Sequence, residues 1–186
     1  MPTIADQNNT GWLAEVVSSM GHYTRSPDTF TIFYGGPDGY SWDRAQHYRG
    51  GYTPGRISVA DLNNNGHLDL IVPAYSTDVT RVLPLQIFWN NGQAIDLDHP
   101  LDLPADSSFS VSPIDFNRDG YIDLMVACHR NDYGHQVDSL IYWNGPGGFS
   151  PDRVTPLPGM GPHRMNTRDP GTESYTHLTL PTSDQV

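Results

Sequence analysis

The sequence predicts an all-β fold made of about three four-stranded antiparallel repeats, and three observations predict it. The first is a pair of oxygen-rich loops 54 residues apart, Asp61 to Asp69 and Asp115 to Asp123, each running into an apolar segment (Leu70-Ile71-Val72 and Leu124-Met125-Val126). The second is the aromatic triplet Ile32-Phe33-Tyr34, which returns as Ile87-Phe88-Trp89 and Ile141-Tyr142-Trp143 at spacings of 55 and 54. The third is composition: 19 Asp against 2 Glu, 10 Arg with no Lys, 18 Gly and 16 Pro. Helices favour Glu and Lys, whereas Asp, Gly and Pro favour turns.

Within a repeat the elements follow in a fixed order: strand, oxygen-rich loop, strand, aromatic strand, glycine-containing turn, final edge strand. In the second repeat these fall at about Ile57–Ala60, Asp61–Asp69, Leu70–Ala74, Leu85–Trp89 and Ile95–Leu103. The runs after the loops are short and apolar, as buried strands are. Each aromatic triplet sits in such a run, so packing explains it better than ligand stacking. The turns that follow are Gly35-Gly36-Pro37, Asn90-Asn91-Gly92 and Asn144-Gly145-Pro146. The first and third copies then continue alike, Gly39-Tyr40-Ser41-Trp42-Asp43-Arg44 against Gly148-Phe149-Ser150-Pro151-Asp152-Arg153.

The two loops carry the chemistry. Side-chain oxygens stand at positions 1, 3, 5 and 9, with glycine at position 6: Asp61, Asn63, Asn65, Asp69 around Gly66, and Asp115, Asn117, Asp119, Asp123 around Gly120. Alternate oxygens converge as a short backbone turns, and glycine takes the sharp bend, which is how a hard cation is wrapped. Position 7, His67 or Tyr121, would add its backbone carbonyl. An all-oxygen set of this kind selects Ca²⁺. An EF-hand is excluded, because position 12 is Val72 or Val126 where that motif needs a bidentate glutamate. A third copy opens the chain at Asp6, 55 residues before Asp61, but Thr10 and Ala14 stand at positions 5 and 9, so this loop, which includes Asn8, is expected to bind weakly. Asn8-Asn9-Thr10 also fits a glycosylation sequon, an incidental match inside a repeat loop.

Four antiparallel strands in a repeat of this length describe a propeller blade. Val59-Ala60-Asp61 through Asp69-Leu70-Ile71-Val72 resembles the FG-GAP/VCBS repeat, the calcium-loop blade of integrin α-subunit propellers and many bacterial surface proteins. The resemblance covers residues 1 to about 165. It implies repeats at 1–56, 57–110 and 111–165, three blades of an incomplete β-propeller, with Thr10 and Ala14 departing from the pattern. It implies metal ligands Asp61, Asn63, Asn65, His67 (backbone), Asp69 and Asp115, Asn117, Asp119, Tyr121 (backbone), Asp123, and an extracellular or cell-surface setting.

Three blades cannot close a ring, so further repeats are expected outside this chain. The register fails at Asp169, 54 residues after Asp115, and residues 166–186 form a broken repeat. The string from Ser174 to Thr182 resembles a translated sequencing adapter, so the tail from about Ser174 is expected to be non-native and to pack poorly. The net charge of −11 disfavours a nucleic-acid partner, which needs clustered bases. No stretch approaches the roughly 20 apolar residues that span a bilayer, and a signal peptide is not expected within these residues. Cys128, the one cysteine, follows Met125-Val126-Ala127 and is expected to be a buried strand residue.

The leading expectation is a non-enzymatic, calcium-stabilised repeat module of a larger secreted or surface protein, serving adhesion or binding of a protein or carbohydrate ligand. Extracellular sites of this sort bind with Kd of roughly 10⁻⁴ to 10⁻³ M. The alternative is part of a polysaccharide-acting enzyme whose site is completed by other blades, with His129-Arg130-Asn131-Asp132, His135 and His163 as its polar residues, or a lectin using Tyr40, Trp42 and Phe149 as sugar platforms.

Overall fold

Short β-branched and aromatic runs, separated by turns rich in Asp, Asn and Gly, form fourteen strands in the computed structural model, which describes residues 3–7, 9–18 and 28–162. In chain order they are β1 (Thr3–Ala5), β2 (Ala14–Ser18), β3 (Phe30–Tyr34), β4 (Ala45–Tyr48), β5 (Thr53–Pro54), β6 (Ser58–Ala60) and β7 (Asp69–Val72). There follow β8 (Ala74–Ser76), β9 (Leu85–Phe88), β10 (Leu101–Leu103), β11 (Ser108–Ile114), β12 (Asp123–Cys128), β13 (Ser139–Tyr142) and β14 (Val154–Leu157). The helical content of the described residues is one 3₁₀ turn, Trp42–Arg44.

All strand pairs among these elements are antiparallel, and they make four sheets: β1-β2-β3-β4, β6-β7-β9-β10, β11-β12-β13-β14 and the two-stranded β5-β8. The fourth sheet corrects the expectation of about three. It extends the β6–β7 hairpin outward past Pro73, where the β7 run stops because proline has no N–H to pair. Gly55 N–H caps the break by donating to Pro73 O at 2.7 Å. The third repeat has Ala127 at the place of Pro73, and there β11 and β12 run unbroken for seven and six residues.

Two other boundaries differ from the sequence reading. The strand expected over 95–103 forms only at Leu101–Leu103. Asp96 Oδ1 accepts the N–H groups of Asp98 (3.0 Å) and His99 (3.2 Å), and this turn takes up the residues before Pro100. β11 starts at Ser108, ahead of the expected boundary at 111. The tail residues Asn166, Asp169 and Ser174–Thr182, together with His163 and Asn8, lie outside the described residues.

Side-chain alternation stacks the three larger sheets face to face. Leu70, Val72 and Phe88 of the second sheet pack with Val16, Phe30 and Ile32 of the first. Ile71, Leu85 and Ile87 point the other way, to Val111, Leu124 and Val126 of the third. A strand covered on both faces has no polar side to show, and all four residues of β7 are buried. The aromatic triplets serve this packing: Ile32, Ile87 and Phe88 are fully buried and Tyr142 nearly so, its hydroxyl donating to Pro104 O. Cys128 is buried at the end of β12, and burial pushes its thiol up to about 11.

The first strands of successive sheets lie side by side. Thr3 Oγ1 donates to Ile57 O at 2.7 Å, and Ser58 Oγ donates to Val111 O at 3.0 Å. Arg56 N–H reaches Phe109 O at 2.7 Å in a parallel bridge. Each of the three oxygen-rich loops joins the first strand of its sheet to the second, so the loops recur at equivalent places.

Candidate functional site

The loops share one backbone. Positive φ recurs at position 4 (Asn9 53°, Asn64 57°, Arg118 61°) and at position 6 (Gly11 79°, Gly66 85°, Gly120 88°). The position-1 carboxylate holds that shape. Asp61 accepts the N–H groups of Asn65 (3.0 Å) and Gly66 (2.8 Å), one on each oxygen. Asp115 does the same for Asp119 (3.1 Å) and Gly120 (2.9 Å), and Asp6 for Thr10 (2.9 Å) and Gly11 (2.8 Å). Such side-chain-to-backbone bonds replace the pairing the chain gives up in a tight turn.

Positions 3 and 5 are exposed at the loop tip. Asn63 Oδ1 accepts Asn65 N–H at 3.2 Å, and Asn65 Oδ1 accepts His67 N–H at 2.8 Å. Asn117 Oδ1 accepts Asp119 N–H at 3.0 Å, and Asp119 Oδ1 accepts Tyr121 N–H at 2.9 Å. The two loops therefore present positions 1, 3 and 5 in matched order, with His67 and Tyr121 next in the chain.

Position 9 is different in kind. Asp69 and Asp123 are fully buried. Asp69 accepts Leu62 N–H at 2.9 Å on one oxygen and Asn90 N–H at 2.8 Å on the other. Asp123 accepts Phe116 N–H at 3.0 Å and Asn144 N–H at 2.9 Å. Burial pushes the Asp69 carboxyl up to about 6, against the opposing pull of the Asn90 and Leu62 N–H groups. This carboxylate thus ties the loop to the end of the aromatic strand, a role the spacing alone does not show.

The partner asparagines extend that tie across the sheets, and the sequence reading missed them. Asn90 Nδ2 donates to Leu68 O (3.2 Å) in its own loop and to Gln7 O (2.8 Å) in the loop before. Asn144 Nδ2 donates to Ile122 O (3.1 Å) and, in the loop before, to Leu62 O (2.8 Å). A second tie runs the other way: Asn9 Nδ2 donates to Gly66 O at 2.6 Å and Asn64 Nδ2 to Gly120 O at 3.3 Å. The available signal was spacing, since Asn9/Asn64 and Asn90/Asn144 are 55 and 54 apart.

The first repeat lacks both halves of the Asp–Asn latch. Ala14 stands for Asp69 and Gly35 for Asn90. Gly35 N–H donates instead to Leu13 O at 3.1 Å, and a Cβ there would sit 2.5 Å from that oxygen. The space is left as a cavity of about 100 Å³ lined by Gln7, Thr10, Trp12, Ala14, Tyr34 and Gly35.

Hard oxygen donors and spare lone pairs make the two later loops compatible with Ca²⁺. A carboxylate has about four acceptor positions, and the backbone bonds described occupy one on each oxygen of Asp61 and Asp115. The three carboxylates Asp115, Asp119 and Asp123 are not gathered into one group; among the described residues no three Asp, Glu, His or Cys side chains are. The cause is local, since Asp119 Oδ2 accepts Asn117 Nδ2 at 3.0 Å while Asp123 turns inward.

Two of the polar residues of the enzyme alternative, His129 and His135, are engaged by backbone carbonyls. The rings of His129 and His135 meet at 4.6 Å, but their Nδ1 atoms engage Gly161 O (2.9 Å) and His129 O (3.2 Å). The larger cavity nearby, about 370 Å³, is lined by Asp106, Cys128, Asn131, Gln136 and Asp138 among others, and not by the histidines. Of the three lectin aromatics, Phe149 is buried, whereas Trp42 is 71% and Tyr40 48% exposed. No protein-family model, curated protein or solved structure matches the chain.

Proposed function

We propose that this chain is a calcium-binding repeat module of the FG-GAP/VCBS type, a set of β-propeller blades from a larger secreted or surface protein that serves adhesion or ligand binding. The observation that supports it is the pair of loops at Asp61 and Asp115, whose backbone turns, position-1 carboxylate bonds and exposed position-3 and position-5 oxygens match one for one. Asp61, Asn63, Asn65, the His67 carbonyl and Asp69 would hold one ion; Asp115, Asn117, Asp119, the Tyr121 carbonyl and Asp123 would hold the other. Bound calcium supplies positive charge among oxygens that otherwise repel at close range. The chain's own part is partly done beforehand: the backbone is already bent, and the exposed oxygens at positions 3 and 5, which now accept turn N–H groups, would offer the ion their remaining lone pairs.

The partner is a protein or carbohydrate and not nucleic acid, given the net charge of −11. Among the described residues no helix is long and apolar enough to cross a membrane. Calorimetric titration of metal-free protein with calcium tests the reading. It expects about two ions per chain with Kd of roughly 10⁻⁴ to 10⁻³ M. Titration without heat, or without saturation up to about 20 mM calcium (roughly 20 times the weaker expected Kd), would sink it.

A further inference from the structure

The first and third repeats contain the same turn, and comparing them isolates one side chain that the turn does not need. In the first, Gly39 N–H donates to Gly36 O (2.9 Å), Asp43 N–H to Ser41 Oγ (3.2 Å) and Arg44 N–H to Ser41 O (3.1 Å). In the third, Gly148 N–H donates to Gly145 O (2.9 Å), Asp152 N–H to Ser150 Oγ (3.2 Å) and Arg153 N–H to Ser150 O (3.1 Å). Both arginines fold back onto the turn, Arg44 to Gly39 O and Arg153 to Gly148 O. The one-for-one match puts Pro151 where the first repeat has Trp42. An aromatic ring is therefore no requirement of the turn, and yet a tryptophan 71% exposed is placed there.

The indole is also held in one orientation. It stacks on the His47 ring at 5.6 Å with 11° between planes, and Phe33 meets it edge-on at 5.0 Å. His47 Nδ1 lies 3.1 Å from both Thr31 Oγ1 and Asp28 Oδ2, and Asp28 Oδ1 accepts Arg49 Nε at 2.8 Å. The exposed indole thus adjoins a chain of polar groups that runs from His47 on β4 through Asp28 to Arg49. Arg49, 67% exposed at its side chain, still carries its terminal N–H donors.

We propose that Trp42, with the His47–Asp28–Arg49 row beside it, is a platform for an uncharged pyranose unit of an oligosaccharide. A pyranose offers a C–H face that lies flat on an aromatic ring and equatorial hydroxyls that reach polar groups at its rim. Charge favours an uncharged sugar over an acidic one: Asp28 already offsets Arg49, and the chain as a whole stands at −11. The exposed apolar part is the Trp42 ring, whereas a protein partner needs about 800 Å² of its own surface covered. The site lies on the first repeat, uses none of the residues of the loops at Asp61 and Asp115, and does not rest on the calcium reading.

The test is titration of the full chain, in chelator, with four uncharged probes (cellobiose, maltose, mannobiose and di-N-acetylchitobiose), followed by tryptophan fluorescence and calorimetry. At least one probe is expected to bind, with Kd in the millimolar range or below. Trp42→Ala weakens that binding at least tenfold while its melting temperature shows that it remains folded, and Arg49→Ala weakens it less. Trp12→Ala, which removes another exposed tryptophan, leaves it unchanged. The proposal is overturned if none of the four probes binds, or if Trp42→Ala binds as the wild type does. It is equally overturned if sedimentation shows a self-association that Trp42→Ala abolishes, because the ring then docks a second copy of the chain.

Discussion

Asn144 has its amide buried between two repeats, donating to Leu62 O on one side and Ile122 O on the other. Removing a donor from buried acceptors costs their desolvation, about 1–3 kcal/mol. Asn144→Ala is therefore expected to lower unfolding free energy by that amount in urea titration. Asn64→Gly removes a tie of the same kind, to Gly120 O, but an exposed one, and glycine tolerates the positive φ of 57° there; its expected effect is within about 0.5 kcal/mol. Equal effects would mean that burial does not decide the strength of these ties. Asp132 bridges repeats at the opposite end, accepting Thr80 Oγ1 at 2.8 Å and Arg81 N–H at 2.6 Å. These bonds, Thr80's first, hold its carboxyl below the usual range. A lowered folded-state value means that the contribution to stability is present above the unfolded value, near 3.9, and lost as pH falls through the folded one. The gap in melting temperature between wild type and Asp132→Ala should be constant from about pH 5 to 7 and close below about pH 4; a gap that widens in acid would contradict this.

At the scale of elements, two glycines separate turn geometry from packing. Gly66 has φ of 85° with nothing near its missing Cβ, so Gly66→Ala costs only the left-handed backbone, about 1–2 kcal/mol. At Gly55 a Cβ would sit 2.5 Å from Phe109 O, the backbone of the next repeat's first strand. Gly55→Ala must push those strands apart, and it is expected to lower the melting temperature by more than Gly66→Ala does. The reverse order would mean that the contact between first strands is soft. Phase was readable in advance because Asp61 and Asp115, and the triplets at Ile32, Ile87 and Ile141, mark it by local chemistry. What escaped was decided by local breaks that compete with the apolar pattern and by long-range pairing. Pro73 breaks a strand whose apolar pattern runs on, Asp96 shortens another, and the asparagine ties join residues up to 83 positions apart. In the candidate site the oxygens at positions 1, 3 and 5 were legible. The inward turn of Asp69 and Asp123 was not, since periodicity does not say which carboxylate the core will enclose.

Across the whole molecule, each sheet leans on its neighbour through an apolar layer and through ties at the loops, so whatever stiffens one loop stiffens a junction. Asp69 and Asp123 take part both in the proposed ion sites and in the latches through Asn90 and Asn144. Calcium acting there would raise stability by about 2.7 kcal/mol per site at 100 times Kd. The first loop keeps the same backbone but has Ala14 in place of the buried carboxylate, and it serves as an internal control. The most direct measurement is the thermal melt of wild type, Asp123→Ala and Asp6→Ala, each with several millimolar calcium and with chelator. A calcium-dependent rise in wild type, reduced by about half in Asp123→Ala, which leaves the Asp61 site whole, and kept in Asp6→Ala, is the result the account predicts. Equal shifts in all three proteins, or no shift in wild type, would contradict it and leave the loops as turns held by their own hydrogen bonds.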